Sequence, residues 1–230
     1  MIPYGTLANA GAIIVGGLAG VALRSRMGEG VQSIVFQGLG LCVVAIGIDM
    51  TIPLPPGELS LLVLFSVVIG GVIGRLLHLE DHMEGLGDRV KKWVGSEDGQ
   101  FTEGLVTAFL VFCVGALTIL GAFEEGLNNN HTLYYTKAML DGFAALALAA
   151  TYGIGVVFSF IPLLIYQLSL TYGAFLLTDL VDETMIQMVS NVGGILILGI
   201  GINLLGLKKI AVGDLLPSLP CIVLLVLLFT

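Results

Sequence analysis

The sequence predicts an all-α polytopic membrane protein: a glycine-rich bundle of about eight transmembrane helices, with seven as the alternative count. Three observations predict it. Of 230 residues, 57% are hydrophobic and only 11% are charged, against roughly 25% charged in an ordinary soluble domain. The apolar residues fall in runs of about 20, the length that crosses a hydrocarbon core. The chain also holds 32 glycines, which suits helices that pack backbone to backbone in lipid. This composition excludes a soluble enzyme, a disordered chain and a nucleic-acid binder, and makes the lipid bilayer the first partner.

In chain order the candidate spans are 5–23, 31–50, 59–77 and 102–122, then two spans sharing 136–178, then 185–206 and 214–230. In the shared stretch, Gly153-Ile154-Gly155 and Pro162 are the break signals between spans five and six. Pro217 and Pro220 shorten the apolar part of span eight, and this is where the seven-span alternative arises. The chain reads as one transmembrane domain, 1–230.

Positive charge orients the spans. Arg24 and Arg26 follow span one, Arg75, Arg89, Lys91 and Lys92 follow span three, and Lys208 and Lys209 follow span seven. With eight crossings all of these loops share one face, which the positive-inside rule makes cytoplasmic. The opposite loops carry Glu58, Glu124, Glu125, Asp179, Asp182 and Glu183, and both termini face outside. Met1-Ile2-Pro3-Tyr4 lacks a basic n-region, so no cleavable signal peptide is expected.

The long connection 78–100 places Leu79, Met83, Leu86, Val90 and Trp93 at three- and four-residue steps, with Asp81, Glu84, Asp88, Arg89, Lys91 and Lys92 between them. That pattern predicts a cytoplasmic amphipathic helix lying in the membrane interface, a solvated linker being the alternative. Asn130-His131-Thr132 fits a glycosylation sequon, a short pattern that recurs by chance.

Two segments echo each other. In 37–49 and 191–203, Gly40 matches Gly194, Gly47 matches Gly201, and Asp49 matches Asn203. The segments lie in spans two and seven, which cross in opposite directions in the eight-span reading. The pattern predicts an inverted-topology repeat, as in many secondary transporters, with chance likeness of glycine-rich helices as the alternative. Gly16 and Gly20, and likewise Gly70 and Gly74, are four apart and mark close helix contacts. Gly193, Gly194, Gly199 and Gly201 put small residues on several faces of span seven.

Ionisable residues at membrane depth are costly and carry function by default. Asp141 follows Lys137 by one turn on span five, close enough to pair. Two roles stand open for it: a neutralised structural pair, or a cation or proton site whose counter-charge is Lys137. Glu103 begins span four, either as a cap-like acid at a helix N-terminus or as a carboxylate at an inner mouth. Asn9, Gln37, Gln167, Asn191 and Asn203 fall within spans. Amide oxygens converging with Asp141 would suit a hard cation such as Na⁺. Cys42, Cys113 and Cys221 lie in apolar runs and read as small buried hydrophobes. No histidine lies in a span, and no zinc, phosphate-loop or nucleophile–base motif is present, so the sequence predicts neither an enzyme nor an ATP-driven pump.

Several motifs together resemble a known family. They are Gly5-Thr6-Leu7-Ala8-Asn9, Gln37-Gly38-Leu39-Gly40-Leu41-Cys42, and Phe101-Thr102-Glu103-Gly104-Leu105-Val106-Thr107-Ala108 leading into Phe112-Cys113-Val114-Gly115-Ala116. Lys137-Ala138-Met139-Leu140-Asp141-Gly142, Gly153-Ile154-Gly155-Val156, Gln167, the Gly193–Asn203 run, Lys208-Lys209-Ile210 and Val212-Gly213-Asp214-Leu215-Leu216-Pro217 complete the set. Over nearly its whole length the chain resembles the YqgA/YdfK-like bacterial membrane proteins, domain of unknown function 554; Asn128–Tyr135 matches least. The resemblance implies a bacterial or archaeal plasma-membrane protein. The family is sometimes labelled a Na⁺ channel or pump, and no active site comes with that label. The combined expectation is an ATP-independent transporter or channel for a small cation or other solute, with Na⁺ the suggested ion and a homo-oligomer the suggested assembly. The alternative is a non-transporting scaffold or regulatory protein working through its glycine-rich helix faces.

Overall fold

The computed structural model describes residues 2–26, 28–54, 57–113, 116–174 and 183–229. Asp179, Asp182 and Gly115 lie outside the described residues. The described residues form helices α1 (Tyr4–Arg24), α2 (Glu29–Thr51), α3 (Glu58–Leu76), α4 (Leu79–Val94), α5 (Phe101–Cys113), α6 (Ala116–Asn128), α7 (Thr132–Tyr152), α8 (Gly155–Phe158), α9 (Phe160–Gly173), α10 (Glu183–Leu204), α11 (Val212–Leu215) and α12 (Ser218–Phe229). Among them α1, α2, α3, the α8–α9 run, α10 and the α11–α12 run are long and apolar enough to cross a membrane, six in all. The α5–α6 pair, bent by 64°, makes a seventh if it is one span. Helix α7 has the length, 21 residues, but carries Lys137 and Asp141 and is not among them. The all-α polytopic fold stands.

The chain divides into two compact units, one built from 1–39, 84–113 and 117–178, the other from 40–83, 114–116 and 179–230. In the first unit α1 and α7 run parallel: Gly5 meets Tyr134, Gly16 meets Gly142, and Gly20 meets Leu146 and Ala149. A Cβ on Gly16 or Gly20 would collide with the backbone of α7, so glycine is what lets these two helices touch. The α5–α6 pair runs against α7, because Gly104 meets Tyr152 while Gly121 meets Tyr134. It runs with α8–α9, because Gly155 meets Phe101 while Gly126 meets Thr171. Helices α7 and α9 therefore traverse the unit in opposite senses. The reversal falls at Gly153, whose φ of 83° lies in the region glycine tolerates. A side chain there would strike Arg24 and Asp98, which pair at 2.6 Å.

In the second unit α2 and α10 run antiparallel. A Cβ on Gly47 would lie 2.9 Å from the Gly194 oxygen, and one on Gly194 2.8 Å from the Gly47 oxygen. A Cβ on Gly201 in turn would lie 3.3 Å from the Gly40 oxygen. Each glycine of the sequence repeat thus meets the counterpart of the other one. Antiparallel helices that each carry glycines seven residues apart make this reciprocal contact. The following helices repeat the arrangement: Gly70 and Gly74 on α3 press against Ser218 and the Asp214 backbone as α3 and α12 run antiparallel.

Residues Leu79–Val94 of the long connection form helix α4. Helix α4 carries Glu80 and Asp81 in its first turn and Lys91 and Lys92 in its last, both favourable to the helix dipole. Trp93 is 80% exposed and Leu86 58%, apolar side chains presented outward as an interfacial helix presents them. Its N-terminus is tied to α11: Glu80 N donates to Asp214 Oδ1 at 2.9 Å, and Gly213 N donates to Glu80 Oε2 at 2.7 Å.

Overpacking a tight helix contact costs typically about 1–3 kcal/mol. Gly74→Val is therefore expected to lower the thermal midpoint of the detergent-solubilised protein by several degrees, whereas Gly38→Ala, which would meet nothing within 4 Å, is expected to leave it unchanged. Equal midpoints for the two variants in a thermal-shift assay would refute the glycine seam.

Candidate functional site

The core of the first unit is polar along one line. On α7, Tyr134, Lys137 and Asp141 follow at steps of three and four, so all three share a face. All three are buried, Lys137 to 4% exposure and Asp141 to 8%. The Lys137 ammonium donates to Asp141 Oδ2, so the pair expected from sequence forms. Asn9 of α1, fully buried, donates its Nδ2 to the same carboxylate oxygen at 3.0 Å. Three sequence candidates, Asn9, Lys137 and Asp141, are thus brought together by the parallel contact of α1 and α7.

Toward the start of α7 lies a second polar group. Glu125 of α6 is completely buried and accepts from Gly5 N at 2.6 Å, from Thr6 N at 3.2 Å and from Thr6 Oγ1 at 2.5 Å. His131 Nδ1 lies 2.8 Å away. These are the backbone donors of the first turn of α1, which no helix satisfies internally, so Glu125 caps α1 from a neighbouring helix. The sequence reading places Glu125 in an outer loop; the structure corrects this, because α6 continues to Asn128. The signal was present: Gly121 and Glu125 are one turn apart, and Gly121 packs on Tyr134. Between the two groups stands Tyr134, fully buried, donating to Thr118 O at 3.0 Å.

Gln167 of α9 lies in the same unit. It is completely buried, and neither its Oε1 nor its Nε2 has a hydrogen-bond partner. The Oδ1 of Asn9, the other arm of the amide that holds Asp141, also has none. Thr171, one turn from Gln167, interacts with Tyr134. Unpaired amide groups in hydrocarbon cost several kcal/mol each, and buried polar atoms without partners call for an explanation such as an ion or water.

The remaining candidates go elsewhere. Gln37 is exposed on α2 and donates to Ser33 Oγ at 3.3 Å, so the expectation that it joins a buried site is corrected. Asn191, in the second unit, turns its Nδ2 to the carbonyls of Met50, Thr51 and Pro53, nearest Thr51 at 2.8 Å, closing the end of α2; its Oδ1 has no partner. Asn203 donates to Ile210 O at 2.8 Å and accepts from Ile210 N at 2.7 Å, pinning the turn before α11. Glu103 is exposed in the first turn of α5 and interacts with Tyr152. Cys113 is buried and Cys221 partly so, but Cys42 is exposed on α2, a correction to the reading of all three as buried. The packing glycines Gly16, Gly20, Gly70, Gly74, Gly194 and Gly201 all meet neighbours within their own unit, Gly199 packs on Val212, and Gly193 is buried. Among the described residues no three His, Cys, Asp or Glu side chains gather as a metal cluster.

A bundle of apolar helices enclosing an ion pair and unpaired amides defines a polytopic α-helical membrane protein with a polar interior site. The chain belongs to the family described as "Protein of unknown function (DUF554)", which matches residues 4–227. It is similar to "Uncharacterized membrane protein YdfK" of Bacillus subtilis, 35% identical over 217 residues covering 94% of this chain and 92% of that protein. It is also similar to "Uncharacterized protein YqgA" of Escherichia coli, 31% identical over 222 residues covering 94% of this chain and 92% of that one. No solved structure matches the chain.

Removing a buried acceptor leaves its donors unsatisfied at about 1–3 kcal/mol each. Glu125→Ala is expected to destabilise the protein strongly in thermal unfolding, and Glu125→Gln, which keeps one acceptor oxygen, clearly less. Wild-type stability in Glu125→Ala would remove the capping role.

Proposed function

We propose that the protein moves a small monovalent cation across the plasma membrane without ATP, as a carrier or channel, with its site on the Asp141 face of the first unit. The observation that carries this reading is the buried Asp141 carboxylate with Asn9 beside it, the Oδ1 of Asn9 being unpaired, and the buried, unpaired amide of Gln167 in the same unit. Oxygen ligands of this kind suit hard cations, Na⁺ among them. The reciprocal contact of α2 and α10 supports it, since inverted repeats are the architecture of many secondary transporters. In this reading both termini face outside and α4 lies on the cytoplasmic surface.

Asp141→Asn is expected to abolish Na⁺-dependent flux in proteoliposomes while the protein still elutes as a folded species. Unchanged flux would take the residue out of the mechanism. For orientation, a cysteine placed at Thr230 in a cysteine-free background is expected to react with an impermeant maleimide on intact cells, and one at Lys208 only after permeabilisation. The reverse pattern would invert the assignment.

A further inference from the structure

Helix α4 divides its surface by charge. Residues two apart on a helix stand on nearly opposite sides, and Leu86 is two residues from both Glu84 and Asp88. Glu80, Glu84 and Asp88 therefore form a row, at four-residue steps, on the side away from Leu86. Two acids of that row are held by neighbouring elements. Glu80 Oε2 accepts from Gly213 N, and Asp88 Oδ1 accepts from Thr102 Oγ1 at 2.5 Å. Asp81, near the start of the helix, pairs with His78 at 3.1 Å. The Leu86 side carries different chemistry. Leu86, Arg89 and Trp93 follow at steps of three and four, and Lys92 lies at the edge of the same face. The one-turn neighbours of Arg89 are Gly85, Leu86, Lys92 and Trp93, none of them acidic. All four side chains of the face are exposed, Trp93 to 80% and Leu86 to 58%. Among the described residues neither Arg89 nor Lys92 has an ion-pair partner.

The chain keeps this face at the surface of the bilayer. Helix α4 starts at Leu79, directly after the spanning helix α3 ends at Leu76, and Gly87 packs on Thr102 in the first turn of α5. We infer that the Leu86–Trp93 face of α4 binds anionic phospholipid, with Leu86 and Trp93 seated among the headgroups and Arg89 and Lys92 on lipid phosphates. Tryptophan settles at headgroup level, guanidinium grips a phosphate through two parallel hydrogen bonds, and ammonium serves as a point charge. Helices that join apolar and basic side chains on one side adsorb to anionic lipid for these reasons. A neutral lipid would leave both cations unmatched. A second copy fits worse, because a two-fold pairing sets a face against itself and would bring Arg89 and Lys92 against Arg89 and Lys92. This inference needs the membrane alone and stands apart from the cation site.

Trp93 is the one tryptophan of the chain, so its fluorescence reports this face directly. The test uses full-length protein in phosphatidylcholine bilayers holding a minor fraction of phosphatidylglycerol. Either lipid is brominated near the headgroup end of its acyl chains and compared at equal mole fraction. Brominated phosphatidylglycerol is expected to quench Trp93 more than brominated phosphatidylcholine, with the excess shrinking as salt is added. Arg89→Gln and Lys92→Gln are each expected to weaken the apparent affinity for phosphatidylglycerol about fivefold, and the double variant about 25-fold. Equal quenching of the wild type by the two lipids overturns the inference whatever the variants do. So does a double variant that keeps the wild-type excess. Quenching by neither lipid takes Trp93 off the bilayer and overturns it as well; disulfide cross-linking of Leu86→Cys between copies would then assign the face to a second copy.

Discussion

The organising constraint is the burial of two charges on one helix. An ionised side chain taken out of water is costly unless paired, and α7 carries two that are buried. Their i, i+4 spacing lets Lys137 and Asp141 neutralise each other before α7 meets any neighbour, so the helix enters the bundle as a dipole rather than as two ions. It still has to be enclosed. That requirement accounts for the closeness of α1, which approaches through Gly16 and Gly20 until its backbone touches that of α7. The same approach carries Asn9 to the carboxylate. Glycines and site are one arrangement: a bulkier residue at the seam would draw the amide away from the acid.

What the sequence shows clearly is whatever depends on spacing along one helix. The Lys137–Asp141 pair and the four-residue glycine steps are local and periodic, and the structure makes both contacts. The repeat is legible for a related reason, since it compares two stretches of the chain without needing to know what either touches. Contacts between distant stretches are not legible in this way. Asn9 and Asp141 are 132 positions apart, and nothing in either segment names the other. Glu125 misleads for a further reason. An acid between two apolar runs reads as a loop, because its burial is paid for by donors at the far end of the sequence, the first turn of α1. Gln37 misleads in the opposite sense. It is the repeat counterpart of Asn191, yet only Asn191 finds carbonyls to hold, while Gln37 stays on the exposed face with Ser33.

The amides of this chain sort themselves by what they hold. Asn203 spends both arms on Ile210, and the turn it fixes explains it fully. Asn191 spends its nitrogen on the end of α2. Asn9 spends one arm on Asp141 and leaves the other open. Gln167 spends neither. Placed in that order, the residues pass from structural need to none: leucine in place of Gln167 would remove an unpaired amide from the interior and forfeit no hydrogen bond of the fold. The burial of such a group opposes folding, and the cation site proposed above is what would account for it.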